Sequence, residues 1–452
     1  DLHLLSRRQR QMCIRDMDIR MCKMEREIFL VGIGMGTEEG VTVQARRIIR
    51  ASSCLIGAQR MLDCAQRVCA DAGKDSADAQ KPMLAEYRPD EIVSYIEQHP
   101  EYRRIAVLLS GDTGFYSGAK RLAEQLTERF RKIREKGAEQ CRIELIPGIS
   151  SVVYLAAKLN TSWEDAALVS LHGKDADFIQ TVHRNRKTFL LLGGQGVMSV
   201  RKRLLDYRMD HVTVHAGSRL SYEDERIISG KPSQISEEDL KGLCTVLIEN
   251  PCPERSACAH VSDEDFIRGN VPMTKEEVRA VSIARLRLTE DAVVWDVGAG
   301  TGSVSVEAAR SGDRIRVYAV EKNPDAVELI RENRKKFRTD GICVISGRAP
   351  EALGRLEAPT HVFIGGSSGN LREILICVLE KNRDARIVIN AISLETVKEV
   401  MEAAESGLLR HPQITQVSVA RSRELGRYHM MTGQNPVYII SAGGAEDERG
   451  EA

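Results

Sequence analysis

Short apolar runs alternate with longer helical patterns along this chain. Two of the runs, at 28–31 and 293–297, lead directly into a glycine-rich turn, and a helical pattern follows each turn. A short apolar run bounded by turn residues is typical of a buried strand. Strands that alternate with helices form α/β units with mainly parallel sheets. The pattern therefore predicts an α/β protein with two glycine-rich strand-to-helix turns.

A break in this pattern divides the chain into two domains. The strand-like run 244–248 is followed by Asn250-Pro-Cys-Pro253, where each proline fixes φ and removes a backbone donor. We therefore place a linker at 250–262, a first domain at 27–249 and a second domain at 263–442.

Smaller changes in the pattern predict further boundaries. A charged helical stretch at 121–139 separates two sets of strands, which predicts two lobes within the first domain, with a boundary near residue 141. Residues 1–26 are rich in Arg and Met and lack an apolar period. We expect a disordered extension there and a disordered tail at 443–452.

Composition narrows the class of partner. The 452 residues carry 65 Lys and Arg against 65 Asp and Glu, so we expect no general attraction to nucleic acid or to an anionic membrane. No apolar run is long enough to span a bilayer, and the start of the chain has no apolar region of the secretory kind. We predict a cytoplasmic protein that forms a homo-oligomer.

Cysteine usage gives no sign of a metal. The 11 Cys form no C-x-x-C pair, and the closest cluster, Cys252, Cys258 and His260, offers three ligands where zinc takes four. We therefore predict reduced thiols and no metal.

The second glycine turn carries the stronger chemical signal. Its spacing is G-x-G-x-G, whereas the dinucleotide fingerprint is G-x-G-x-x-G. Asp296 lies two residues before the first glycine, where a carboxylate suits a cationic ligand end such as the α-ammonium of S-adenosylmethionine. Glu321 follows the next strand, and an acid there can accept hydrogen bonds from both hydroxyls of a ribose. These features favour S-adenosylmethionine over a dinucleotide.

The motif D-V-G-A-G-T-G-S-V-S-V-E-A-A resembles motif I of class I methyltransferases, and in particular the decarboxylating corrin methyltransferases of cobalamin synthesis. The segments 272–279, 347–352 and 363–367 resemble the same family. The resemblance covers most of 263–442 and implies a Rossmann-like fold. It also implies cofactor contacts at Thr274, Asp296, Gly298, Ala299, Gly300, Thr301, Gly302, Glu321 and Ala349. Arg348 stands where the family leads us to expect an acidic residue.

The first domain has several glycine-bearing turns at the ends of predicted strands. They lie at 32–36, 108–117, 146–151, 171–173 and 191–194. Because ligands commonly bind at the carboxyl ends of parallel strands, we expect these turns to converge on one cleft.

In their order, these turns and the segment Ser221-Tyr-Glu-Asp-Glu-Arg-Ile227 resemble the tetrapyrrole methylase family, in its corrin carbon-5 branch. The match spans about 27–249 and implies a two-lobed fold. The cofactor contacts that it implies are Met35, Ser110, Gly111, Asp112, Ser150, Ser151 and Leu192. Met35 and Thr37 replace the Pro and Asp that are usual in the family's first loop.

The order of the two domains resembles that of the fused precorrin-6Y C(5,15)-methyltransferases (decarboxylating). The resemblance implies methylation of a polycarboxylate tetrapyrrole at carbons 5 and 15, with loss of carbon dioxide from a ring acetate and with S-adenosylmethionine as cofactor. Arginine suits carboxylates through its bidentate fork. The basic residues that we assign to the substrate are Lys275, Arg279, Arg421, Arg423 and Arg427. The sequence identifies no catalytic acid or base.

Three other functions remain open from the sequence. One is a class I methyltransferase for another small molecule, and another is a non-catalytic carrier of a tetrapyrrole intermediate. The third, an NAD-dependent oxidoreductase, is disfavoured by the glycine spacing.

Overall fold

Three sheets and one hairpin organise the protein in a computed structural model. It describes residues 26–70, 81–135, 141–171, 177–193, 200–236 and 244–444. Two sheets have five strands, the third has seven, and a separate hairpin has two. The predicted α/β architecture, with a two-lobed first domain and a Rossmann-like second domain, is confirmed.

The first lobe is a parallel sheet in the order β3-β2-β4-β1-β5. Its strands are β1 (Arg26–Gly32), β2 (Cys54–Gly57), β3 (Met83–Ala85), β4 (Arg104–Leu109) and β5 (Cys141–Ile146). Its helices are α1 (Val43–Ala51), α2 (Gln59–Ala70), α3 (Pro89–Gln98) and α4 (Ala119–Glu135), with a 3-10 helix at Glu38–Gly40. The central strands are buried on both faces, as their unbroken apolar runs predict.

Two predicted boundaries are wrong by a short distance. The lobe boundary does not lie near residue 141, because β5 pairs with β1 from Arg26↔Cys141 to Val31↔Ile146 and so belongs to the first lobe. Arg26 is not part of an extension, since it begins β1 and its buried guanidinium donates to the carbonyls of Ile96 and His99 at 2.6 Å each. The rest of the predicted extension lies outside the described residues.

The second lobe has a mixed sheet in the order β6-β7-β10-β8-β9, in which β10 runs antiparallel to both neighbours. Its strands are β6 (Ala167–Ser170), β7 (Lys187–Leu192), β8 (Thr213–Ser218), β9 (Arg226–Gly230) and β10 (Cys244–Glu249). Its helices are α5 (Ser151–Lys158), α6 (Ile179–Arg184) and α7 (Val200–Asp206). The segment 250–262 that follows contains no helix or strand.

The second domain is a seven-stranded sheet in the order β13-β12-β11-β14-β15-β19-β16, in which β19 runs opposite to the other six strands. Its strands are β11 (Val293–Val297), β12 (Arg316–Glu321), β13 (Ile342–Ser346), β14 (His361–Ile364), β15 (Arg386–Ala391), β16 (Gln413–Val417) and β19 (Val437–Ala442). The hairpin comprises β17 (Ala420–Leu425) and β18 (Tyr428–Gly433). The helices are α8 (Glu276–Leu286), α9 (Ser303–Arg310), α10 (Pro324–Lys336), α11 (Leu371–Lys381) and α12 (Leu394–Glu405), with 3-10 helices at Asp263–Asp265 and Glu351–Leu353.

A buried carboxylate joins the two domains. Asp340, in the turn before β13, accepts hydrogen bonds from the backbone N–H groups of Phe178 and Ile179 at 2.8 Å each and of Gln180 at 3.1 Å. It also accepts from Arg203 Nη2 at 2.7 Å. Three otherwise unpaired donors at the start of α6 are therefore satisfied from the other domain.

The side chain of Gln180 extends this contact across the junction. Its Nε2 donates to the carbonyl of Ala309 at 2.9 Å. Arg184 pairs with Asp313 at 3.0 Å. The second lobe is thus held to the second domain by the buried contacts of Asp340 and Gln180 and by one ion pair at the surface. Removal of either buried side chain would leave its partners unsatisfied.

We predict that Asp340→Ala destabilises the full chain by about 3–5 kcal/mol, because it leaves three backbone donors at the start of α6 without an acceptor and removes the closer of the two carboxylates that pair with Arg203. The measurement is the free energy of unfolding in guanidinium chloride. Asp291→Ala is the control, since Asp291 is exposed and its loss should cost less than about 0.5 kcal/mol. Equal stability of the two variants would contradict this role for Asp340.

Candidate functional site

A cavity of about 620 Å³ lies at the carboxyl edge of the seven-stranded sheet. The turns after β11, β12, β13, β14 and β15 line it, together with the segment that leads into α8. The residues predicted from the sequence that line this cavity are Thr274, Lys275, Gly298, Ala299, Gly300, Glu321 and Ala349. The structure thus brings together residues that are 75 positions apart in the chain.

Glycine is required in the turn after β11 for two reasons. Gly298 and Gly300 have φ of +73° and +56°, in the left-handed region. A Cβ on Gly298 would lie 2.7 Å from the carbonyl oxygen of Gly366, and a Cβ on Gly300 would lie 2.8 Å from that of Pro272. Backbone therefore packs against backbone here, and the wall of the cavity is made of peptide groups.

Glu321 is held in place by backbone donors. One carboxylate oxygen accepts from the N–H of Gly300, and the other accepts from the N–H groups of Lys322 and Asn323, each at 2.9 Å. The carboxylate lines the cavity and keeps acceptor capacity for further donors. This arrangement fixes an anionic acceptor beside the glycine turn.

Asp296 is buried and does not line the cavity, so the structure does not support the predicted direct contact with a cationic ligand end. Its side chain is buried, and its Oδ2 accepts from Ser305 Oγ at 2.5 Å. Its Oδ1 is buried without a partner among the described residues. Burial raises the pKa of Asp296 from its ordinary value of 3.8 to about 7, and the nearby charge of Glu321 adds to this rise.

Two other residues of the glycine turn also lie behind the cavity wall. Thr301 is fully buried. A Cβ on Gly302 would lie 3.1 Å from the side chain of Ile330, so this glycine allows α10 to pack closely against the turn. The structure gives Thr301 and Gly302 a packing role.

Arg279 is also misassigned as a substrate residue. It is fully buried, and it donates to Glu307 at 2.6 Å and to Asp263 at 3.0 Å. A guanidinium with two buried carboxylates cannot reach a ligand in the cavity. Lys275, by contrast, is the residue before α8 and lines the cavity.

Arg421, Arg423 and Arg427, which the sequence assigns to the substrate, all lie on the β17–β18 hairpin but differ in their contacts. Arg421 makes two 2.7 Å hydrogen bonds to Glu277, so it fastens the hairpin to α8 and is not a free substrate residue. Arg423 and Arg427 lie on the exposed part of the hairpin. Because side chains alternate along a strand, Arg423 shares a face with Arg421, which is turned toward the start of α8 beside the cavity.

Asn390, at the end of β15, lines the cavity and was not identified from the sequence. Its Oδ1 accepts from Ser282 Oγ at 3.1 Å. Its Nδ2 is buried and has no acceptor among the described residues. An oriented amide donor without a partner is suited to an oxygen of a ligand. Only its position at a strand end could have signalled it, because the surrounding run is apolar.

In the first domain, three of the predicted turns meet at the carboxyl edge of the parallel sheet. A Cβ on Gly111 would lie 3.9 Å from both Met35 Cε and Ser150 Cα. Asp112 accepts from the N–H of Gly148 at 2.9 Å, which joins the turns after β4 and β5. The expected convergence of these turns is present around Met35, Gly111 and Ser150.

The other predicted residues of the first domain have different surroundings. Ser110 is exposed, Ser151 begins α5, and Leu192 packs in the core of the second lobe. The predicted turns at 171–173 and 191–194 lie partly outside the described residues.

Among the described residues, no group of three His, Cys, Asp or Glu side chains could hold a metal ion. Within the same ranges, no helix has the length and apolarity needed to cross a bilayer.

Both domains match known protein families. Residues 265–442 match the family of the precorrin methyltransferase domain, and residues 27–236 match the tetrapyrrole (corrin/porphyrin) methylases. A probable cobalt-precorrin-6B C(15)-methyltransferase (decarboxylating) of Pyrobaculum calidifontis is 44% identical over 186 residues, which is 40% of this chain and 94% of the relative. The chain belongs to the precorrin methyltransferase family.

Further precorrin methyltransferases are similar to part of the chain. The cobalt-precorrin-6B C(15)-methyltransferase (decarboxylating) of Salmonella typhimurium is 37% identical over 185 residues, which is 40% of this chain and 94% of the relative. The crystal structure of a precorrin-6Y C5,15-methyltransferase from Geobacter metallireducens is 38% identical, covers 42% of this chain and 98% of that chain, and has a TM-score of 0.40.

We predict that Asp296→Asn stabilises the ligand-free protein at pH 8 but hardly at all at pH 4. The folded pKa of about 7 lies above the ordinary value of 3.8, so the native state favours the protonated carboxyl. The stabilisation that this group contributes is therefore complete below about pH 4 and is lost as the pH rises through 7. Asparagine stays neutral and keeps an oxygen for Ser305.

Urea denaturation midpoints at several pH values provide the measurement, with the exposed Asp291→Asn as the control. If Asp296→Asn is less stable than the wild type at pH 8, the prediction is wrong, because the buried charge of Asp296 is then compensated within the folded protein.

Proposed function

We propose that this chain methylates a precorrin or cobalt-precorrin at carbons 5 and 15 and removes the carboxyl of the ring C acetate, as a step of cobalamin biosynthesis. The methyl donor is S-adenosylmethionine. The second domain acts at carbon 15 and carries out the decarboxylation, and the first domain acts at carbon 5. The observation that carries this proposal is the peptide-lined cavity with Glu321 fixed at its edge, in a domain that belongs to a decarboxylating methyltransferase family.

The cavity residues fit S-adenosylmethionine by their chemistry. When bound, this cofactor supplies an electrophilic methyl group on a sulfonium. Glu321 accepts hydrogen bonds from the ribose hydroxyls, and Gly298, Ala299 and Gly300 let the cofactor lie against the backbone. Thr274 and Ala349 complete the wall. In the first domain, the matching positions are Met35, Ser110, Gly111, Asp112, Ser150, Ser151 and Leu192.

Asp296 contributes its charge from behind the glycine turn. A buried carboxylate with one unpaired oxygen stabilises positive charge nearby, because little water screens it. A cationic ligand end in turn favours its ionised form, so binding and ionisation of Asp296 are coupled. Residues 301 and 302 act on the cofactor only through the packing of the turn.

The substrate needs orientation more than a strong base, since the reduced macrocycle supplies electron-rich carbons of enamine character. A conjugated imine of the same macrocycle accepts the electron pair that is released with carbon dioxide. Lys275 and Asn390 reach the cavity from two sides and are placed to bind substrate carboxylates or carbonyls. Arg423 and Arg427 offer further cations on the neighbouring hairpin.

The direct test is incubation of the purified chain with precorrin-6B and S-adenosylmethionine, followed by mass spectrometry. We expect a product that has gained two methyl groups and lost one carbon dioxide. Methyl transfer to an unrelated small molecule with no change in the precorrin would contradict the proposed function.

We predict that Glu321→Gln weakens cofactor binding in the second domain by about ten- to hundred-fold. The amide keeps the shape but removes the charge assistance of two hydrogen bonds, worth roughly 1.5–3 kcal/mol. It also replaces one oxygen, which accepts from backbone N–H groups, by an NH2 group that cannot accept. Titration calorimetry should therefore show two sites in the wild type and one of unchanged affinity in the variant. The variant should still methylate carbon 5 but release little carbon dioxide. Glu357→Gln is a control outside the cavity. Normal decarboxylation by Glu321→Gln would contradict this division of roles.

A further inference from the structure

The side chain of Arg60, in the first domain, lies between Tyr222 and Gly36. It is the second residue of α2, directly after the carboxyl end of β2. Its guanidinium carbon lies 4.1 Å from the ring centre of Tyr222, in the second lobe. On another side lies Gly36, where a Cβ would be 2.9 Å from Arg60 Nε. Gly36, with φ of +94°, therefore leaves the space that this guanidinium fills.

No carboxylate pairs with Arg60 among the residues that the structure describes, although the group is half-buried. Its neighbours differ in this respect. Arg219, which also lies over Tyr222 at 4.5 Å, pairs with Asp224 at 2.5 Å, and Arg67 on the same helix pairs with Glu38 at 2.9 Å. Burial lowers the pKa of Arg60, whereas its contact with Tyr222 raises it, so the tyrosine offsets part of the cost of burial and no described carboxylate does.

This position is continuous with the candidate cofactor residues of the first domain. Gly36 follows Met35, whose side chain lies close to Gly111. The carbonyl of Met35 accepts from Ser221 Oγ at 3.0 Å, which holds the Tyr222 loop of the second lobe against the first lobe. Two non-glycine residues of that loop, Arg219 and Ser221, have φ of 48° and 67°. Backbone strain of this kind is retained where the surrounding structure fixes it, often at ligand sites.

We propose that Arg60 binds a carboxylate arm of the tetrapyrrole substrate in the first domain, with Tyr222 holding its guanidinium flat for a bidentate contact. The ring lies 4.1 Å from the guanidinium carbon, and no described carboxylate pairs with the N–H groups, so a carboxylate of the substrate can take up the in-plane fork. This assignment rests on the proposed function of the first domain. It adds a substrate residue on α2, where the sequence pointed only to the glycine turns.

The experiment compares Arg60→Gln with Arg47→Gln, which removes an exposed arginine of α1 in the same lobe. With precorrin-6B, we expect Arg60→Gln to raise the KM for carbon-5 methylation about ten- to hundred-fold with a smaller effect on kcat. Carbon dioxide release by the second domain should be unchanged. Arg60→Lys should recover only part of the loss, and Arg47→Gln should match the wild type.

A binding measurement separates this proposal from the proposed function. Cobyrinic acid, a corrin polycarboxylate, and its methyl ester are titrated into the wild type and both variants. Weaker binding of the acid alone by Arg60→Gln supports a carboxylate contact, whatever the methylation assays give. Equal binding of the acid by the wild type and Arg60→Gln, including none by either, overturns the proposal. An equal loss for the acid and the ester also overturns it, because it would mean that Arg60 only positions the loop. Absence of any precorrin methylation by the wild type would count against the proposed function instead.

Discussion

Close approach of backbone to backbone at the carboxyl ends of parallel strands underlies both candidate sites. In the first domain, a Cβ on Gly32 would lie 2.8 Å from the carbonyl oxygen of Gly111 and 2.8 Å from the nitrogen of Gly148. In the second, Gly298 meets Gly366 at a similar separation. Where turns touch in this way, peptide N–H and C=O groups form the wall that a ligand would lie against. The few side chains that do reach each site, such as Glu321, can then be held by that backbone.

The junction between the domains depends on a different interaction, a buried carboxylate that serves several donors. Asp340 satisfies the start of α6 and Arg203 at once, so the second lobe owes part of its local order to the second domain. This dependence limits how independently the two domains can fold. Their cofactor positions are separate, yet a fragment that ends after β10 would expose the start of α6 and lose its acceptor.

The sequence predicted the architecture and most of the second cavity because both depend on local signals. Strand-turn-helix periodicity located β11 and β12, and the glycine spacing located the turn between β11 and α9. Side-chain direction was harder to predict. Asp296 and Arg279 are charged residues next to functional segments, yet each turns into the core, where Asp296 meets Ser305 and Arg279 meets Glu307. Asn390 and Arg60 were missed for the converse reason. The amide nitrogen of Asn390 has no acceptor and Arg60 has no carboxylate partner among the described residues, and nothing in the adjoining sequence shows this.

The charged residues of this protein fall into two physical groups as a result. Arg279 is buried with carboxylates that compensate its charge, so it stabilises a segment behind the cavity and has nothing left to offer a ligand. Asp296 and Arg60 are buried or half-buried without such compensation. An uncompensated charge costs stability in the free protein, and a ligand of opposite charge removes that cost when it binds. Burial alone therefore does not separate structural from functional ions here. Structural and functional ions differ in whether the fold itself supplies the counter-charge. This difference can be read only from the folded structure, where partners from distant segments are in place.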